Sequence, residues 1–149
     1  MTLRVAMVEA AVTTELRRAV LRPHHAVGTL MFGDDLPDAV HLAALDGDVV
    51  VGACVLVPHP YPHRNEPAAW QLRGMATDPA RRSQGVGAQV LGGAVDAVTD
   101  RGGRLLWCMA RQVAVAFYER NGFVVDTAEY VEPYTGLPHH DMYRRVSAG

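Results

Sequence analysis

Lysine is missing from this chain: all 14 of its basic residues are arginine. A Walker-type phosphate loop needs a lysine to reach the phosphates, and Schiff-base chemistry needs an amine nucleophile, so both classes are excluded. Cysteine is scarce. Cys54 and Cys108 are the only two, each inside an apolar run that reads as a strand, where a free thiol behaves as a small hydrophobe; no disulfide is expected. No apolar run approaches the roughly eighteen residues of a membrane span. The start, Met1-Thr2-Leu3-Arg4-Val5, lacks the apolar core and cleavage site of a signal peptide, so the expected compartment is the cytoplasm. Charge of either sign is in short excess: the formal net charge is -2, and no basic cluster is interleaved with aromatics, which argues against nucleic acid as a partner.

What is there fits one soluble domain of 149 residues, 49% hydrophobic and 20% charged. The alanine, valine, arginine and glycine bias is that of a GC-rich bacterial genome. Leu3 to Val8 reads as a strand, and Glu15 to Leu21 as a helix capped by Thr13 or Thr14 and stopped by Pro23. His24 to Pro37 is loop-like, with room for a short helical piece, and long enough to suggest a functional role. Ala39–Leu45 and Val49–Val57 flank Asp46-Gly47-Asp48, a hairpin signal. Pro58 to Pro67 holds four prolines and two histidines and must be a loop. Trp70–Thr77 is a strand whose Gly74 suggests a bulge. In Gly85–Val98, Val86, Val90, Leu91, Ala94, Val95 and Val98 share one helical face, and Gly92-Gly93 within it implies close packing on a sheet. Leu105–Ala110 is an apolar strand, Val113–Arg120 a helix stopped at Asn121-Gly122, and Val124–Tyr130 and Asp141–Val146 are closing strands around the turn Pro133–Pro138. The order β-α-loop-β-β-β-α-β-α-β-β predicts an α/β (α+β) domain with one mixed sheet.

Between the strand ending at Thr77 and the helix opening at Gly85 lies Arg81-Arg82-Ser83-Gln84. This arrangement sets unpaired backbone N–H groups at a helix start, where the dipole favours negative charge. Glycine lets backbone approach an anion without a Cβ in the way, and Arg81 and Arg82 add positive charge. On the glycines alone, an anion site and a tightly packed helix start are equally open. A dinucleotide fingerprint is a poor match, because Val90 stands where its third glycine belongs.

Arg82-Ser83-Gln84-Gly85-Val86-Gly87 resembles the Arg/Gln-x-x-Gly-x-Gly/Ala signature of the GCN5-related N-acetyltransferase (GNAT) superfamily, and Ala114-Val115-Ala116-Phe117-Tyr118-Glu119-Arg120-Asn121-Gly122-Phe123 is similar to its helix ending in Phe-Tyr-x-x-x-Gly-Phe. Gly136-Leu137-Pro138-His139 resembles a Gly-Ile-Pro-His turn of some small bacterial members. The resemblance implies a single N-acetyltransferase domain over 1–149, with a mixed, mostly antiparallel sheet flanked by helices and splayed between its fourth and fifth strands. It implies acetyl-CoA as co-substrate, no metal, and direct acetyl transfer to a primary amine of a small molecule or peptide N-terminus in a ternary complex. Met75, Ala76 and Thr77 would then offer main-chain groups to the pantetheine and acetyl carbonyl. The amides of Arg82, Ser83, Gln84, Gly85, Val86 and Gly87 would hold the pyrophosphate, and Tyr118 would be the general acid. Arg111 stands where many relatives carry asparagine, and either coenzyme or acceptor is open to it.

The strand before the loop carries Gln71 and Arg73 where some relatives have a glutamate base, so a water chain, His139 and Glu129 remain as bases. Acceptor recognition is expected from loops 24–37 and 58–67 and the turn before His139. Asp34, Asp35 and Glu66 are either attractors for a cationic amine or solvated loop charge. His59, His63, His139 and His140 lack the regular helical pairing of a metal site. A homodimer is compatible with the sequence, and a non-catalytic acyl-CoA-binding module is the alternative reading.

Overall fold

The Asp46-Gly47-Asp48 turn, with Gly47 at φ +60°, folds Val40–Asp46 (β2) back on Val49–Pro58 (β3) as an antiparallel hairpin. The computed structural model describes residues 2–147. Leu3–Val8 (β1) pairs on the outer side of β2, and Ala69–Thr77 (β4) on the far side of β3, all antiparallel. Leu105–Arg111 (β5) then joins β4 in parallel, and Leu137–Arg145 (β8) joins β5. Val124–Val125 (β6) and Tyr130–Glu132 (β7) both pair with β8, completing an eight-stranded sheet in the order β1-β2-β3-β4-β5-β8-β6 with β7 beside β8. Three helices, Ala10–Leu21 (α1), Val86–Asp100 (α2) and Val115–Arg120 (α3), complete a mixed α/β domain.

Two features of this sheet make the site. The first is a bulge: Ala53 pairs with Ala76 and Val55 with Arg73, so β4 carries one extra residue there, and Gly74 sits in it at φ +62°. The second is a splay. The parallel β4–β5 pairing ends after Ala69↔Leu105, Trp70↔Leu106 and Gln71↔Trp107, and beyond those three the strands part. Backbone groups along the two facing edges lose each other as hydrogen-bond partners and are left for a ligand.

The main core lies between α2 and the sheet, around Leu42, Cys54, Leu56, Val90, Leu91 and Leu106. Gly93 is the close approach that the double glycine implied: a Cβ there would lie 2.6 Å from Cγ1 of Val5. Gly92 faces open space and has no such role. On the opposite face α1 buries Arg17 (1% exposed), whose guanidinium pairs with Asp34 and donates to the Phe32 carbonyl at 3.1 Å. That ion pair ties loop 22–39 to α1.

Several local expectations change. α1 begins at Ala10 rather than at Glu15, so Thr13 and Thr14 are interior; Thr14 Oγ1 donates to the Ala10 carbonyl (3.0 Å) and to Asp34 instead of capping. The N-cap position is Glu9, with no side-chain cap. Loop 22–39 holds turns and no helix. The helix expected from Val113 opens as a 3-10 turn over Gln112–Ala114 and becomes α-helical at Val115. The strand expected over 124–130 is two short pieces, and β8 starts at Leu137, taking Pro138 and His139 into the sheet.

Candidate active site

The splay opens a cleft of about 800 Å³. Its walls are residues 71–77 of β4 and 108–111 of β5, with the end of α1, the start of α2, α3 and the β7–β8 turn around them. Met75, Ala76, Thr77, Arg82, Ser83, Gly85, Val86, Gly87, Arg111 and Tyr118 all line it, so residues up to 43 positions apart meet in one cavity. Gln84 is exposed and is not among the lining residues.

The loop before α2 is shaped by its own chain. Asp78 accepts a hydrogen bond from the Ala80 amide (3.0 Å) and turns the backbone through the 3-10 segment Pro79–Arg81. Ser83 at φ +65° and Gly85 at φ +79° both take the left-handed conformation, which costs a non-glycine residue about 1–2 kcal/mol. Gly85 is the N-cap of α2 and supplies no side chain, so the first-turn amides have no side-chain acceptor. The two glycines serve different ends. A Cβ on Gly85 would meet nothing within 4 Å, whereas one on Gly87 would lie 3.1 Å from the Phe117 ring. Gly87 is therefore small so that α3 can pack against α2. The Val86 side chain is buried in the core, leaving only its main chain to the loop. Arg81, read from sequence as adding positive charge to the loop, is paired with Asp46 at 2.6 Å. Arg82 has no ion pair among the described residues.

Tyr118 is 6% exposed, wedged edge-on between Phe117 and Phe123 at ring separations of 5.1 and 5.3 Å. Burial, with smaller contributions from the neighbouring Cys108 and Cys54 thiols, pushes its pKa well above that of an ordinary phenol, so it stays protonated at neutral pH. Its hydroxyl has no hydrogen-bond partner among the described residues. His139 lines the cleft as well. Its Nδ1 lies 2.9 Å from the Leu137 carbonyl, which can only accept, so Nδ1 carries the proton and Nε2 the lone pair.

The acids named from sequence do not face the cleft. Asp34 is buried against Arg17; Asp35 and Glu129 are exposed outside it. Glu66 accepts from the Ala68 amide (3.1 Å) and lies 3.9 Å from both Arg104 and Arg145. Loop 58–67 is displaced from the cleft because Tyr61 buries itself against Trp107 and Tyr143 and donates to Asp126 at 2.8 Å. From loop 24–37 only Phe32 approaches, under Arg73. Sequence reasoning missed Arg22, Glu132 and Tyr134, which line the cleft, and left Arg73 without a role. The one available signal was Arg73 directly before the bulge glycine.

Residues 9–123 match the model of the family described as Acetyltransferase (GNAT) family. The chain belongs to that family. This GNAT enzyme is an N-acetyltransferase, and acyl-CoA-dependent acetyl transfer is its general chemistry. It is 27% identical over 148 residues to the uncharacterized N-acetyltransferase YitI of Bacillus subtilis (strain 168), covering 97% of each chain. Its fold is shared with Escherichia coli ElaA (TM-score 0.74, 18% identity, covering 96% of this GNAT chain and 99% of ElaA). It is also shared with an aminoglycoside 6'-N-acetyltransferase complexed with coenzyme A (TM-score 0.71, 16% identity, covering 95% and 96%).

Proposed function

We propose that residues 1–149 act as one domain that moves the acetyl group of acetyl-CoA directly to a primary amine within a ternary complex. The carrying observation is that the β4–β5 splay, the uncapped start of α2 and Tyr118 open into the same cleft. The pyrophosphate sits on the amides of 82–87, with Arg82 beside it, and the pantetheine lies between the parted strands along Met75–Thr77. Arg111, at the end of β5, borders both the coenzyme and the acceptor. Gln84 contributes its amide alone, since its side chain lies away from the cleft lining.

The amine nitrogen attacks the thioester carbon, and its proton passes to Nε2 of His139. The oxyanion that forms is met by a main-chain N–H of the bulged strand, a donor worth about 3 kcal/mol. As the C–S bond breaks, the departing thiolate takes the Tyr118 proton, and solvent returns the proton from His139. Glu129, outside the cleft, has no part in this. Burial pushes the Cys54 thiol up to about 12 and the Cys108 thiol higher still, so neither offers a thiolate for an acyl-enzyme at neutral pH.

The test is free-thiol release from acetyl-CoA across a panel of amines, with Tyr118→Phe beside the wild type. The expected result is turnover lowered about 100-fold in the variant, with acetyl-CoA affinity by calorimetry within a factor of two. Equal turnover removes Tyr118 as the acid. Tight coenzyme binding with no thiol release on any amine favours an acyl-CoA sensor.

A further inference from the structure

The cleft end away from the phosphate loop is positively charged. Arg22 closes α1, Arg73 precedes the bulge on β4 and Arg111 ends β5; all three line the cleft, and none has a carboxylate within ion-pair distance among the described residues. Among the described residues Glu132 is the only carboxylate lining it, and its two oxygens are already held by the amides of Tyr134 (3.0 Å) and Thr135 (2.7 Å). The Arg73 guanidinium lies 3.8 Å over the Phe32 ring and makes no hydrogen bond to a described residue. A guanidinium stacked by its face keeps its edge, the N–H fork that meets an oxyanion bidentately. Arg22 is held in a similar way, 5.4 Å over the Tyr134 ring, with one N–H given to the Leu21 carbonyl at 2.7 Å. The two arginines are neighbours: desolvation pulls the Arg73 pKa down, Glu132 pushes it back, and repulsion from Arg22 adds to the pull. Two ring-backed cations that repel one another, in a cleft whose one acid is already held by two amides, form a receptor for an anion.

We propose that the acceptor is a small amine that also carries an oxyanion, a carboxylate or a phosphate, and that Arg22 and Arg73 hold that group while the amine reaches the acetyl carbon beside His139. This rests on the acetyl-transfer reading above and names its substrate class. β4 brings an arginine rather than an acid to this wall of the cleft, so the charge it offers an acceptor is positive.

Matched amines test it: L-phenylalanine against phenethylamine, β-alanine against propylamine, and phosphoethanolamine against ethanolamine, each followed by thiol release. The anionic member is expected to lead in kcat/KM by about tenfold or more in at least one pair, and the pair in which it leads separates carboxylate from phosphate. Arg73→Gln and Arg22→Gln should collapse that preference through KM, with acetyl-CoA affinity unchanged. Neutral amines turned over as well as the anionic ones, a preference that survives Arg73→Gln, or coenzyme binding with none of the anionic amines acetylated would each overturn the proposal. Failure of acetyl-CoA to bind would instead overturn the transfer reading itself.

Discussion

In the proposed transfer, proton traffic is assigned to a histidine with one nitrogen committed and a tyrosine with nothing committed. His139 spends Nδ1–H on the Leu137 carbonyl, which fixes the tautomer, and Tyr118 keeps its hydroxyl free in an aromatic wedge. His139→Gln should therefore lower kcat/KM about 100-fold with acetyl-CoA affinity unchanged. Thiol release by His139→Gln as fast as by the wild type removes it as the base. Tyr118 was legible in the sequence because its motif is contiguous. The His139 tautomer was not, because it depends on β8 starting at Leu137 rather than after a longer turn. Arg73 and Glu132 escaped for the same reason: they meet only through the fold, 59 residues apart.

At the scale of elements, the splay and the α2 start form the proposed coenzyme site, and both were readable from local chemistry. Gly74 marked the bulge, Gly85 the left-handed turn and the apolar face of 86–98 the helix. What could not be read was that Gly85 stands in open space while Gly87 lies against Phe117. The open space around Gly85 makes a sharp comparison possible: Gly85→Asp and Gly85→Asn share shape and tolerate the left-handed backbone, differing in charge. Acetyl-CoA affinity measured by calorimetry should fall at least about tenfold further for Asp than for Asn, the repulsion of a carboxylate at a helix N-terminus meant for phosphate. Equal affinities would place the pyrophosphate elsewhere. The missed start of α1 has a plain cause: Thr13 and Thr14 look like caps, but the Thr13 hydroxyl accepts from Arg17 one turn on and the Thr14 hydroxyl donates to Asp34, a partner 20 positions away in sequence.

Over the whole molecule, two groups held by loop 22–39, Asp34 and His41, contribute to acid sensitivity. Burial works to raise the Asp34 carboxyl, but hydrogen bonds from Arg17, the Met31 amide and Thr14, with the charge of Arg17, outweigh it and hold the pKa below the usual range. A depressed carboxylate contributes stability that is complete above its unfolded pKa and lost as pH falls through the folded one. His41 is buried, with Nε2 on the Gly33 carbonyl at 3.1 Å and Nδ1 unpartnered; burial lowers its pKa, so its protonation also favours unfolding, beginning below the unfolded value of about 6.5. Thermal melts should fall first through the His41 window and again at lower pH. Asp34→Ala, which leaves the Arg17 charge buried and unpaired, should cost about 3–5 kcal/mol at neutral pH, and the gap to wild type should narrow in acid. A gap independent of pH would refute the assignment.

Arg17 does one thing more. Its Cδ lies 3.2 Å from the place a Cβ would occupy on Gly74. The ion pair that anchors loop 22–39 is thus also the floor beneath the bulge that we propose to face the thioester. On that reading, loosening the loop and reshaping the oxyanion donors are the same mechanical event. An Asp34 variant that still folds should betray this as a fall in kcat at saturating acetyl-CoA, far from any atom that reacts.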